Sequence, residues 1–156
     1  MYKPTAWSIS TYAMVVLLKI IEDANLTRIL EFGSGRSTDL LAYLFEITSF
    51  DDNPKYASKH ALIRPLRKDG FYNVKEGDIT GEYDLIILDG PNGPHRGLAY
   101  DIIEPHIPEH GAVIFIDDSE QFDFVQKILN KFVCSMIFVG KEKHKEYMIL
   151  QIRRKN

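Results

Sequence analysis

Apolar positions along the chain follow two alternating rhythms. Between Ser8 and Ala24 they recur at helical spacing, with Ile9, Met14, Val15, Leu17, Leu18 and Ile21 on one side. That predicts an amphipathic helix capped by Ser8 or Ser10. The run TRILEFGSG is short, apolar and closed by glycines, which predicts a buried strand, and Ser37 to Phe45 returns to helical spacing. ITSFDDN predicts a second strand. Pro54 suits a first helical position, giving a helix to about Asp69 with a kink at Pro65. YNVKEGD predicts a third strand, and YDLIILDG, nearly all apolar, a fourth that is buried on both faces. RGLAYDIIEPHI is helical until Pro105 or Pro108, GAVIFIDDSE is a fifth strand, and Glu120 to Phe132 a helix. CSMIFVG and YMILQIR flank KEKHKE and predict an antiparallel hairpin.

Strands alternating with helices imply a parallel sheet with both faces covered, and right-handed crossovers restrict it to a doubly wound α/β topology. One link resists the pattern. Only EGDITGEY separates strands three and four. Extended, the stretch from Lys75 to Leu85 reaches about 33 Å at ~3.3 Å per residue. The path back past two strands takes roughly 20–25 Å. The helix between strands three and four is therefore expected to be missing. One sheet face would then be thinly covered, and a second copy of the chain could cover it as a homodimer.

The 156 residues, 45% of them hydrophobic, fit one domain over 1–156, with 1–26 as an N-terminal helical lid segment and Trp7 as a wall of that lid. The net charge of -3 lacks the basic footprint of a nucleic-acid binder. The single cysteine, Cys134, makes no internal disulfide, and MYKPTAWSIS lacks the features of a signal peptide. The longest apolar run breaks at Lys19, short of the roughly 20 residues of a membrane span. A cytoplasmic location without membrane contact is expected.

The chemistry is sought first at the glycine turn. Gly33 and Gly35 follow a strand and open a helix, so backbone can turn tightly there and approach a ligand. Ser34 sits between them, and the start of the helix at Ser37 and Thr38 directs backbone N–H groups outward. Thr38 stands where a dinucleotide fingerprint has its third glycine. Asp51, 18 positions after Gly33, ends the next strand, where an acid accepts hydrogen bonds from ribose hydroxyls. Asp51 and Asp52 also stand where caps of a helix starting at Pro54 would. Glu31 before the first glycine is a poor neighbour for pyrophosphate and a good one for an ammonium group.

In sequence order, LEFGSGRST resembles motif I of the class I S-adenosylmethionine (SAM)-dependent methyltransferases, SFDDNP the second motif, EGDI the third and YDLIILDGP the fourth. The resemblance implies an α/β fold: a doubly wound, mostly parallel seven-stranded sheet with a C-terminal antiparallel hairpin. It implies SAM as cofactor, with Glu31, Gly33, Ser34, Gly35, Ser37 and Thr38 around its methionine part. Asp51 would bind the ribose, Asp78 the adenine amino group with Ile79 packed beside it, and Asp89 would lie close to the methyl donor. The chain also resembles metal-dependent O-methyltransferases, which carry an acid after strand four and an Asp-Asn pair after strand five. Here Asp89 and the pair Asp117-Asp118 would hold Mg²⁺ or Ca²⁺, hard cations suited to carboxylate oxygens. Asp118 is also placed to cap the following helix. In DGPNGPHR, Arg96 is a candidate for binding a substrate carboxylate, and His95 for taking a proton from a hydroxyl. The implied activity is methyl transfer to a hydroxyl of a small molecule or sugar. Rival readings are a catalytically reduced binding or scaffold protein, an aminopropyltransferase, and an NAD-binding domain opposed by Glu31 and Thr38.

Overall fold

The computed structural model of the protein describes residues 9–91, 94–117, 122–142 and 145–155. Trp7, Ser8 and Asp118 lie outside them. The elements run α1 (Thr11–Ala24), β1 (Arg28–Phe32), α2 (Arg36–Leu44), β2 (Glu46–Asp51), β3 (Ala61–Ile63), β4 (Leu85–Leu88), α3 (Ala99–Ile103), β5 (Ala112–Asp117), α4 (Phe122–Lys131), β6 (Phe132–Glu142) and β7 (Lys145–Arg154). They form one seven-stranded sheet in the order β3-β2-β1-β4-β5-β7-β6. Strands β1 to β5 pair in parallel, and β7 enters antiparallel beside β5 as the second arm of the predicted hairpin.

Ser10, one of the two predicted caps, accepts a 3.0 Å hydrogen bond from the Ala13 N–H and starts α1. Asn25 ends the helix in the left-handed conformation at φ 52°. The apolar side of α1 then covers one sheet face, where Ile29, Leu85, Ile87, Val113 and Phe115 lie beneath Leu17 and Ile21. The opposite face carries Leu30, Phe32, Ile86, Leu88, Ile114 and Ile116, covered by α3 and α4. At the start of β4, the Asp84 carboxylate accepts from the Thr27 and Arg28 N–H groups and the Thr27 hydroxyl, which fixes β4 beside β1.

Two expectations are corrected. No helix forms between Pro54 and Asp69: residues 54–60 are turns and 61–63 are β3. The third strand is therefore Ala61–Ile63 and not Tyr72 to Asp78. Pro65 biases Arg64 towards extended backbone, and the Arg64 N–H donates to the Asp51 carbonyl at 2.8 Å, continuing the pairing with β2. As expected, no helix lies between β3 and β4, but the link spans 64–84 rather than a few residues. A bridge between Leu66 and Tyr72 folds it back on itself.

The second correction follows from the same link. It delivers Phe71, Tyr72 and Tyr83 to the sheet, at 0%, 2% and 1% exposure. Phe71 and Tyr72 pack on Phe32, at ring-centre distances of 5.3 and 6.1 Å. The face expected to be bare is covered by aromatic side chains of the link, which removes the ground for a homodimer there. This makes a stability prediction. Phe71→Ala should cost about 3–5 kcal/mol, the usual loss for a fully buried phenylalanine, read from the urea midpoint. A loss below about 1 kcal/mol would show that the link does not serve as the cover of this face.

Candidate functional site

The turn after β1 and the loop after β4 meet backbone to backbone. Gly33 adopts φ +93°, and a Cβ on it would fall 2.5 Å from the Gly90 nitrogen. No other residue permits this approach. Both loops are tied to β1 and β2: the Gly33 N–H donates to the Phe50 carbonyl at 2.9 Å, and the Asp89 and Gly90 N–H groups to the Phe32 carbonyl at 2.8 and 2.7 Å. Beside this contact opens a pocket of about 480 Å³ lined by Gly33, Ser34, Asp51, Asp52, Asn53, Tyr56, Tyr72, Asp89, Gly90 and Pro91. It lies outside the carboxyl ends of the parallel strands, where doubly wound sheets place ligands.

Asp51 organises one wall. One carboxylate oxygen accepts from the Ser34 N–H at 2.9 Å and the Ser34 hydroxyl at 3.0 Å, and the other from the Asn53 N–H at 2.8 Å. The Ser34 Oγ in turn accepts from the Ser58 N–H at 3.1 Å. Asp51 thus locks the glycine turn while still lining the pocket. Asp52 and Asp89 complete a set of three carboxylates, and no lysine, arginine or histidine stands among the described lining residues. Such a pocket favours a cation over an anion.

Glu31 lies behind the turn, fully buried, and does not line the pocket. Its Oε2 accepts from the Thr38 and Ser49 hydroxyls, each at 2.6 Å. Thr38 Oγ1 accepts from the Gly35 N–H at 2.9 Å, so the carboxyl braces the turn through Thr38. Its Oε1 has no partner among the described residues. Burial, opposed by the two hydroxyls, pushes the Glu31 carboxyl up to about 7. This placement sets the Glu31 carboxyl against Thr38 and Ser49 behind the turn. Ser37 and Thr38 are likewise buried, at 1% and 0% exposure, while Gly35 is half-buried with open space at its Cβ position.

Further expected site residues lie elsewhere. Asp78 is taken by Arg64, whose Nε donates to it at 2.7 Å, and by the Lys75 N–H at 2.7 Å. The Arg64 guanidinium holds the Asp78 carboxyl below the usual carboxylate range. Ile79 packs against the sheet core. Since the third strand ends at Ile63, EGDI falls within the link, and neither residue lines the pocket.

Arg96 is 2% exposed and donates to the carbonyls of Pro91, Asp89 and Asp117. It does not project outward to a substrate but joins the chain ends of β4 and β5, a geometry its planar fork of donors suits. His95 packs against Gly70, where a Cβ would come within 2.8 Å of its ring, and does not line the pocket. Asp117 is buried at 1% exposure, Asp118 lies outside the described residues, and among the described residues no three potential ligands cluster for a metal ion. Of the expected residues, the pocket gathers Gly33, Ser34, Asp51 and Asp89. Sequence patterning alone does not mark Tyr56 or Tyr72 as site residues. The glycine of LDGP was a visible signal, whereas Tyr72 reaches the pocket by a fold-back that no periodicity announces.

No family model matches the chain, and no curated protein matches it by sequence. Solved structures do match. An O-methyltransferase of Bacillus cereus in complex with S-adenosylhomocysteine (SAH) superposes at a TM-score of 0.70 with 14% identity, covering 96% of this chain and 84% of that one. TomG of Streptomyces achromogenes, an O-methyltransferase of tomaymycin synthesis in complex with SAM, gives 0.68 with 14% identity over 94% and 82%. A precorrin-6y C5,15-methyltransferase of Geobacter metallireducens gives 0.61 with 12% identity over 98% and 94%. The chain has the class I, Rossmann-like methyltransferase fold.

The Glu31 carboxyl makes a signed pH prediction. Its folded pKa, about 7, is raised above the ordinary 4.5, so the folded state holds the proton more tightly. The stability this contributes is fully present below about pH 4.5 and is lost as the pH rises through 7, to a total of about 3 kcal/mol. Urea unfolding at pH 5 and pH 8 should show Glu31→Gln removing most of that loss. An equal pH slope in both proteins would overturn the assignment.

Proposed function

We propose that this protein is a SAM-dependent methyltransferase that acts on a hydroxyl group of a small molecule. The observation that carries the reading is the composition of the pocket: three carboxylates, no basic side chain among the described lining residues, and a glycine-to-glycine floor, on a methyltransferase fold. SAM carries a sulfonium cation, which such a lining favours, while the pyrophosphate of a dinucleotide would be repelled. The matching O-methyltransferases, one with SAH and one with SAM, support both the cofactor and the oxygen acceptor.

On this reading the turn at Gly33 and Ser34 lets backbone approach the cofactor, and the remaining acceptor capacity of Asp51, with Asp52, serves the ribose hydroxyls. Asp89 faces the positive sulfur end across the Gly33–Gly90 contact. SAM supplies an already activated methyl group, so the protein's share is alignment of the acceptor and exclusion of water. Arg96 serves that alignment by holding the ends of β4 and β5 in place. The reading does not depend on a divalent cation. Magnesium dependence of turnover would bring Asp89, Asp117 and Asp118 into it.

The test is calorimetric titration with SAH and with NAD, each with and without Mg²⁺. Micromolar binding of SAH and none of NAD is expected. Asp51→Ala should weaken SAH binding by at least about tenfold, since it removes a ribose acceptor and loosens Ser34. Absence of SAH binding by the wild-type protein would overturn the reading, and unchanged affinity in the variant would remove Asp51 from the ribose.

A further inference from the structure

We propose that β6, the edge strand at the hairpin end of the sheet, is the interface of a homodimer: two copies of the chain pair β6 to β6, antiparallel about a two-fold axis, in a register centred between Met136 and Ile137.

The edge is open and unguarded. β6 ends the strand order, bonded on one side to β7 and on the other to no described strand. The outer row of N–H and C=O groups on such a strand is a template for another, and proteins usually blunt it with charges or proline. Phe132–Gly140 contains neither, along the longest described strand of the sheet. Val133, Met136, Ile137 and Val139 are exposed on it, Met136 at 64%. The described lining of the pocket includes no residue of β6 or β7, so pairing at this edge leaves the pocket open.

Two features of the strand select a second copy as its partner. The first is the bulge at Ile137. Ahead of it, Cys134 and Met136 pair with Ile152 and Leu150 on the face covered by α3 and α4. Beyond it, Val139 pairs with Met148 on that same face, while Phe138 and Gly140 pair with Ile149 and Tyr147 on the α1 face. The extra residue thus exchanges odd and even positions between the two arms. A two-fold axis between Met136 and Ile137 sets Cys134 opposite Val139 of the second copy, Val133 opposite Gly140 and Ser135 opposite Phe138, each on its own face. A strand without the bulge would join opposite faces in this register, and in β6 a shift by one residue does so. The second feature is charge. The pairing brings Lys131, exposed beside Glu104, against Glu142 of the second copy, twice in the dimer, around an uncharged centre. A parallel pairing would set Lys131 on Lys131. The uncharged edge offers no cation to a nucleic acid or an anionic membrane.

The experiment is sedimentation velocity of the full chain from about 1 to about 100 µM, where a monomer–dimer equilibrium is expected. Met136→Lys sets two like charges beside the axis and should weaken the dimer at least about tenfold. The Met136 side chain is exposed, so the monomer fold is kept, checked by an unchanged circular dichroism spectrum. The register is read with Val139→Cys. On oxidation its thiol should bridge Cys134 of the second copy and give a covalent dimer, since about 16 Å of strand separates the two positions within one chain. Adding Cys134→Ser should abolish the bridge. A monomer at every concentration would overturn the proposal and leave the edge to a strand of another protein. A dimer that Met136→Lys leaves intact would overturn β6 as its interface, and species growing beyond the dimer would overturn the closed two-fold pairing. A dimer that Val139→Cys does not lock through Cys134 would overturn the register.

Discussion

The backbone contact between Gly33 and Gly90 is the constraint on which the rest of the site depends. It brings the turn after β1 against the loop after β4 at a distance that excludes any side chain on either residue. Adjacent parallel strands already place these two chain ends side by side. The glycines convert that adjacency into a closed floor, so the pocket opens above it and the walls are left to Asp51, Asp52, Tyr72 and Asp89. The surrounding hydrogen bonds serve this contact. Asp51 holds Ser34, Phe32 receives two N–H groups from the β4 loop, and Arg96 draws in the carbonyls of Asp89, Pro91 and Asp117.

Charge is distributed in two layers around that floor. Towards the ligand stand carboxylates with partial access to water, suited to a positive centre. Behind it, Glu31 is wholly buried between two hydroxyls and holds the helix start through Thr38. An acid that a linear motif sets beside a ligand also braces the turn in space. Arg96 is likewise a brace, its fixed positive charge spent on backbone carbonyls at the root of the site.

The link from 64 to 84 shows how a short chain completes a doubly wound sheet without its full set of helices. Instead of an amphipathic helix it inserts three aromatic side chains. A phenylalanine or tyrosine buries large area per residue, so Phe71, Tyr72 and Tyr83 seal the sheet against Phe32, Phe50 and Ile86. An ion pair between Arg64 and Asp78 pins the base of the link. One of the three aromatics also reaches the ligand pocket, so the substitute for a helix contributes to the site as well as to the core.

By itself the sequence determined the sheet except for its third strand. Apolar runs at β1, β4 and β5, the hairpin at the end and the glycines after β1 are local signals, because burial on both faces and tight turning are demands met residue by residue. Gly33, Ser34, Asp51 and Asp89 were legible for the same reason: each sits at the end of a strand or in the turn that follows it. Tertiary structure decided the remainder. KYASKHALIRPLRK has a helical composition in part, but pairing of Ala61–Ile63 with β2 outweighs it. Whether Glu31, Arg96 or Asp78 meets a ligand or a neighbour depends on partners far along the chain: Ser49, Asp117 and Arg64 respectively. Tyr72 enters the pocket only through a fold-back, and long-range packing of that kind leaves no periodic trace in the residues that undergo it.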